Sequence, residues 1–246
     1  MDREDLGRAT LMAPGYWVRG PARIERGWIT LDRSHAERYW GKGSRELTFD
    51  LAAVRTPRDM LAFAQRYGML WAHAEDEDPI RERFADWERE ARALGDILRL
   101  YELLQRALQD DAEAIADLRT AWADAAPRVG PDFPVLPAAR DELLAVVRRG
   151  IAALVSHGLK GVGQMLIVDA DPGVFVHTAL TRDVIGYAYH GLALLLSYRI
   201  PVATCVECGR AFTVEDRRQQ YCSDRCANRA RHRRWRERKQ VAQGTA

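Results

Sequence analysis

The chain has 246 residues, of which 47% are hydrophobic and 29% charged, and its formal net charge is +2. That composition fits one large globular domain, or a medium domain with a small module attached, and excludes a disordered or fibrous chain. All four cysteines fall between Cys205 and Cys226, so the rest of the chain must build its core without disulfides.

The start, Met1-Asp2-Arg3-Glu4-Asp5, lacks the basic and then apolar pattern of a secretory leader. The longest apolar stretch, Val184 to Tyr198, is too short for a membrane span and contains His190. A cytoplasmic protein with reduced thiols is expected.

Residues 14–54 read as β-rich. Gly15 to Gly20, Arg23 to Glu25 and Trp28 to Leu31 form short strands, the last two joined as a hairpin over Arg26-Gly27, and Leu47 to Val54 reads as a further strand. Trp17, Trp28 and Trp40 are expected to pack this small sheet. Thr56-Pro57-Arg58-Asp59 then starts a helix, with a hydroxyl at the N-cap, proline at the first helical position and a carboxylate three residues after the cap. Gly68 should end that helix. Glu75 to Asp78, near His73, reads as an acidic loop before the next helix.

From Ile80 the apolar positions Phe84, Trp87, Ala91, Leu94, Leu98, Tyr101, Leu104 and Leu108 recur at steps of three and four, the stripe of a long amphipathic helix. Asp110 to Ala125 is a second helix using Ile115, Leu118 and Trp122. Pro127, Gly130, Pro131, Pro134 and Pro137 follow as a loop that offers a subdivision at 126–137. A third helix spans Pro137 to His157. Gln164 to Val168 and Val174 to Thr178 flank Asp171-Pro172-Gly173 as a hairpin. Thr181 is positioned to cap a last helix ending near Tyr198. The expected fold class is α+β: a mostly helical body over 1–202, with the β region at 14–54, helices over 56–200 and one hairpin, then a small module over 203–246.

The body carries no G-x-S-x-G, H-E-x-x-H or phosphate-loop signature, and Gly161-Val162-Gly163 lacks the third glycine of a dinucleotide fingerprint. His35, His73, His157, His177 and His190 are dispersed; His177 and His190 could approach only through folding. No catalytic residue is assigned, and the expectation is a protein that is not an enzyme.

The C-terminal module is the informative part. Cys205-x2-Cys208 and Cys222-x3-Cys226 are two close pairs, the spacing of a four-thiolate structural zinc site. Gly209 suits the tight turn of a knuckle, Arg210 to Thr213 reads as a strand with Phe212 covering the metal, and Tyr221 leads back to the second pair. Ser223 is placed to cap a helix holding Cys226. Knuckle, hairpin and helix together make a treble-clef-like arrangement, with one structural Zn2+ as cofactor.

Residues 205–240 hold eleven of the 37 Lys/Arg and five of the 35 Asp/Glu, so this segment carries +6 and the remainder −4. A basic helix without an apolar docking stripe, on a body of opposite charge, points to a polyanionic partner. Nucleic acid, DNA before RNA, is the leading partner. The candidate contacts are Arg225, Asn228, Arg229, Arg231, Arg233, Arg234, Trp235, Arg236, Arg238 and Lys239. The alternatives are an adaptor whose helix docks on an acidic protein, with zinc purely structural, and an RNA-associated factor. The body is left to sense a ligand or to form a homodimer.

Arg217 to Ala230, with Tyr221-Cys222-Ser223 and Cys226-Ala227-Asn228-Arg229, resembles the bacterial CGNR zinc fingers. Alanine stands here at the signature glycine. The resemblance implies a DNA-binding, stress-related transcription regulator with a mostly helical domain before the finger, and carries the metal role onto Cys205, Cys208, Cys222 and Cys226.

Overall fold

The computed structural model describes residues 16–40, 46–71, 79–129, 134–168, 175–181, 183–216 and 218–244. The N-terminal region forms two small sheets. Strand β1 (Tyr16–Arg19) pairs antiparallel with β4 (Glu37–Trp40). Strands β2 (Ala22–Glu25) and β3 (Trp28–Leu31) form the expected hairpin, turning at Arg26 and Gly27, where φ is 45° and 91°. Two positive φ angles in a two-residue turn match the right-handed twist of the flanking strands. The side chains of Trp17 and Trp40 lie outside the described residues. The ring of Trp28 takes the Arg83 guanidinium 5.1 Å from its centroid.

Two stretches read differently from their sequence. Leu47 to Val54 is not a strand: helix α1 runs Glu46–Ala52. Its apolar residues alternate as in a strand, but Leu47, Thr48, Phe49, Leu51 and Ala52 are all buried, and Thr48 Oγ1 donates to the Ala188 carbonyl at 3.1 Å. A short element buried on several sides has no period with which to announce itself. Ile80 to Arg83 is not the first turn of the long helix but strand β5, which extends the hairpin to a sheet of order β2-β3-β5.

Helix α2 (Pro57–Tyr67) is set as its sequence dictates. Thr56 and Asp59 form a reciprocal capping box, and Gly68, at φ 99°, donates its N–H to the Ala64 carbonyl. Helix α3 (Phe84–Ala107) buries Trp87, Ala91, Leu94, Leu98, Tyr101 and Leu104, the stripe read from periodicity. It turns through Asp110, at φ 63°, into α4 (Ala112–Val129), whose Leu118 and Trp122 are buried. Pro127 does not end this helix; it falls within the last two turns, where a missing donor forfeits a single backbone bond. Residues 130–133 lie outside the described set, and beyond them Pro134 accepts from Trp122 Nε1 at 2.9 Å.

Helix α5 (Arg140–Gly158) leads through one 3-10 turn to strands β6 (Val162–Val168) and β7 (Phe175–Thr181), paired antiparallel from Val162↔Thr181 to Val168↔Phe175. The Asp171-Pro172-Gly173 turn, the Glu75–Asp78 loop with His73, and the His177 side chain lie outside the described residues. Helix α6 (Val184–Ser197) is capped by Asp183, whose Oδ1 accepts from Gly186 N at 2.6 Å, and not by Thr181, which belongs to β7. Either residue type can cap; pairing of Thr181 with Val162 decides the choice.

One continuous apolar cluster runs from Ala22 to Val202 around α3. A second and much smaller one holds Cys205, Phe212 and Cys226. No helix among the described residues is long and apolar enough to cross a membrane.

Glu82, on β5, is a carboxylate buried in this core. Its two oxygens accept the backbone N–H groups of Leu70 at 2.9 Å and Trp71 at 2.7 Å, strapping the segment after α2 to β5. Burial pushes its carboxyl up to about 7, against the pull of those two donors. A folded-state value above the unfolded one means the native chain binds more protons between the two, so stability falls as pH rises from about 4.5 to about 7. The whole effect is about 3 kcal/mol. Glu82→Gln should therefore flatten the decline in thermal midpoint measured across this range, and an unchanged pH profile would remove the assignment.

Candidate metal centre

Strands β8 (Val202–Thr204) and β9 (Ala211–Thr213) pair antiparallel, and the first cysteine pair sits in the turn between them. The strand expected at Arg210 to Thr213 is β9, which pairs with β8, and the returning segment is tied to the knuckle by Val206 N, which donates to the Gln220 carbonyl at 3.2 Å. Within the turn Gly209 donates to the Cys205 carbonyl at 2.8 Å and adopts φ 69°, where a side chain would be strained. Phe212 points inward and is buried, as expected.

The second pair brackets a helix start. Cys222 precedes α7 (Asp224–Gly244), and Cys226 lies in its first turn, with its N–H donated to Ser223 Oγ at 3.4 Å. Ser223 is thus the cap its position suggested.

These two pieces bring Cys205, Cys208, Cys222 and Cys226 together, all four sulfurs within 4.8 Å of one another. Cys222 Sγ lies 3.6 Å from both Cys208 Sγ and Cys226 Sγ. Disulfide sulfurs would stand about 2 Å apart. Thiolates on a tetrahedral ion with bonds near 2.3 Å stand about 3.8 Å apart, close to the two separations of 3.6 Å. The donor set therefore fits a metal held entirely by sulfur.

Electrostatics favour the same conclusion. Burial opposes ionisation of Cys205, but the backbone N–H groups of Cys222, Glu207 and Cys208 donate to its sulfur and bring its pKa down to about 7. Burial and the neighbouring thiols of Cys226 and Cys208 push Cys222 up to about 12. One thiolate is stabilised by the knuckle; four in this volume need a cation.

Around the sulfurs, charged residues tie the module to its surroundings. Glu207 Oε2 lies 2.8 Å from Arg233 Nη1, a bridge from the knuckle to the second turn of α7 beyond Cys226. Arg210 Nη1 reaches Asp50 Oδ1 on α1 at 2.8 Å, and Thr204 Oγ1 donates to Glu102 Oε2 on α3 at 2.6 Å. Gln105 bonds the chain on both sides of Pro201, accepting from Val202 N and donating to the Ile200 carbonyl. None of these long-range partners carried a sequence signal, since opposite charges are too common to pair by inspection.

Beyond the metal site α7 behaves as a solvent-exposed rod. Cys226 and Ala230 are buried against the module, whereas every residue from Arg231 to Gln240 is exposed. Arg225, Asn228, Arg229, Arg231, Arg233, Arg234, Arg236, Arg238 and Lys239 all lie on its accessible surface. Asn228 accepts from Arg231 at 3.1 Å. Trp235 is 54% exposed, with Lys239 Nζ 5.4 Å from the ring centroid.

No protein-family model matches the chain, and neither the curated proteins nor the solved structures contain a significant match. The likeness to CGNR fingers consequently stands on the C-terminal residues alone.

Replacing Cys222 with serine should abolish retention of one metal equivalent per chain, read by colorimetric release after gel filtration. The thermal transition of the body should survive, because its apolar cluster excludes the cysteines. Ser223→Ala should keep the metal and lose about 1 kcal/mol of helix stability. Full metal retention by Cys222→Ser would contradict the four-sulfur assignment.

Proposed function

We propose that the chain is a zinc-dependent nucleic-acid-binding protein, a DNA-binding transcription regulator of the kind its CGNR-like residues suggest. The observation that carries the reading is α7: a helix fixed at one end by the cysteine cluster, with Arg231, Arg233, Arg234, Arg236, Arg238 and Lys239 exposed beyond it. Such a helix has no stripe with which to fold back on its own body. Its cations repel one another unless phosphates meet them, and its girth suits the DNA major groove.

Zinc is the metal we assign to this site: four thiolates suit it, and four protein ligands would complete its coordination. The role is structural: the ion holds the knuckle against the start of α7 and thereby aims the helix. No catalytic residue is assigned. Most of the arginines would contact phosphates, while Asn228 and Arg229, near the anchored end, are placed to meet base edges. Trp235, exposed and already stacked by a cation, supplies a flat apolar face for a groove or an unpaired base.

The test is a salt titration of full-length, zinc-loaded protein with duplex DNA, RNA of equal length and an acidic polypeptide. Steep salt dependence with duplex DNA is expected. The triple substitution of Arg229, Arg236 and Arg238 by alanine should lower the slope of log K against log salt by about 3 while zinc is retained. Preference for RNA would move the reading to an RNA-associated factor. Binding to the acidic polypeptide alone would make the helix a protein-docking element.

A further inference from the structure

We infer that the cleft between α3 and the cysteine module is a binding site for a phosphate-bearing small molecule. Glu88, Arg92, Gly95, Asp96 and Arg99 recur at steps of three and four along α3 and so share one stripe, turned away from the buried one. That stripe faces the end of α1 at Ala52, Val54 and Arg55 on one side, and Thr204 with Gly209 to Ala211 of the module on the other. The space enclosed is about 520 Å³, within the range of small-molecule sites.

Among its lining residues guanidinium groups outnumber carboxylates, although Arg99 and Arg210 also find carboxylates just outside it. Four guanidinium groups, those of Arg55, Arg92, Arg99 and Arg210, meet two carboxylates, Glu88 and Asp96. Arg55 is held in place by backbone rather than by a carboxylate hydrogen bond: its Nη1 donates to the carbonyls of Ala52 and Val54, both at 2.7 Å. Arg92 has no hydrogen bond or ion pair among the described residues. Arg210 shares the Asp50 carboxylate with Arg66, and its own Nε is buried without an acceptor. Arg99 is the best matched, bonding Glu102 at 3.2 Å and Asp117 at 3.4 Å.

Fixed guanidinium groups with spare donors suit an oxyanion carrying about two charges, which a phosphate monoester or diphosphate supplies. The volume exceeds what a bare phosphate fills, and Ala52, Val54 and Ala211 offer apolar wall to an organic body. Gly95 leaves this part of the lining without a side chain; a Cβ there would make ordinary contacts, 3.5 Å from the Ala52 carbonyl oxygen and 3.8 Å from Arg55 Nη2, so a longer side chain can be introduced beside Arg55. A ligand so placed touches body and module at once.

Calorimetric titration of the full-length, zinc-loaded chain with inorganic pyrophosphate and with ADP, at constant ionic strength, tests the site. One-to-one saturable binding of both is expected. Arg92→Ala should weaken each about tenfold, and Gly95→Leu, which favours the helix while filling the cleft, should weaken ADP more than pyrophosphate. Arg148→Ala, on the far helix α5, should change neither. Absence of saturable binding to both probes at millimolar concentration overturns the proposal, as does equal affinity in Arg92→Ala. Loss of pyrophosphate binding in the Arg229, Arg236 and Arg238 triple variant, with Arg92→Ala unaffected, would assign the anion to α7 and also overturn it. Arg92→Ala that weakens duplex DNA but neither small probe would give the cleft to a nucleic-acid backbone. The DNA-binding reading stands or falls on α7 separately from all of these outcomes.

Discussion

Four sulfur atoms crowded within 4.8 Å can all carry charge only if a cation sits among them. Everything in the C-terminal module depends on that condition. Its apolar core is Phe212 and the cysteines with Ala203, Val214 and Tyr221 half-buried against them, a few side chains worth about 2 kcal/mol each at most, set against the cost of ordering the knuckle, hairpin and helix start. The backbone donors that lower Cys205 prepare one thiolate; the ion must stabilise the others. Metal occupancy and the existence of the module are therefore one equilibrium, whereas the body is held by a separate and much larger apolar cluster.

The connection between those two clusters is both apolar, through Val202 of β8 and Ala211 of β9, and polar. Gln105, Glu102 and Asp50 reach from the body to the segment around the knuckle, and each bonds a short stretch between Ile200 and Arg210. These directional contacts orient a hairpin that Val202 and Ala211 also anchor on the body's apolar cluster. The Glu207–Arg233 pair adds a brace between the knuckle and α7 itself.

Where the information was local, sequence and structure agree. The capping box of Thr56 and Asp59, the stripe of α3 and the two cysteine pairs each need only residues within a turn or two of one another. Where a neighbour far along the chain decides, the sequence was silent or misleading. The Leu47 to Ala52 segment becomes helical because α6 supplies the Ala188 carbonyl for Thr48, and Ile80 to Arg83 becomes a strand because β3 offers an edge. Asp183 displaces Thr181 as a cap because β6 claims the threonine. The four cysteines were legible as a set, but the strand that pairs with β9 was not, and neither were the arginines that converge from α1, α3 and the knuckle.

Asp50 illustrates what that convergence implies. Its carboxylate accepts the Tyr67 hydroxyl at 2.5 Å and pairs with Arg66 through Oδ2, while Oδ1 holds Arg210 of the module. The corner between α1 and α2 and the seating of the cysteine-bearing hairpin thus share one side chain. Neither can be adjusted independently by substitution at this position. A change tolerated by the helical corner would still be sensed at the module, and sequence drift at residue 50 should be coupled to drift at residues 66, 67 and 210.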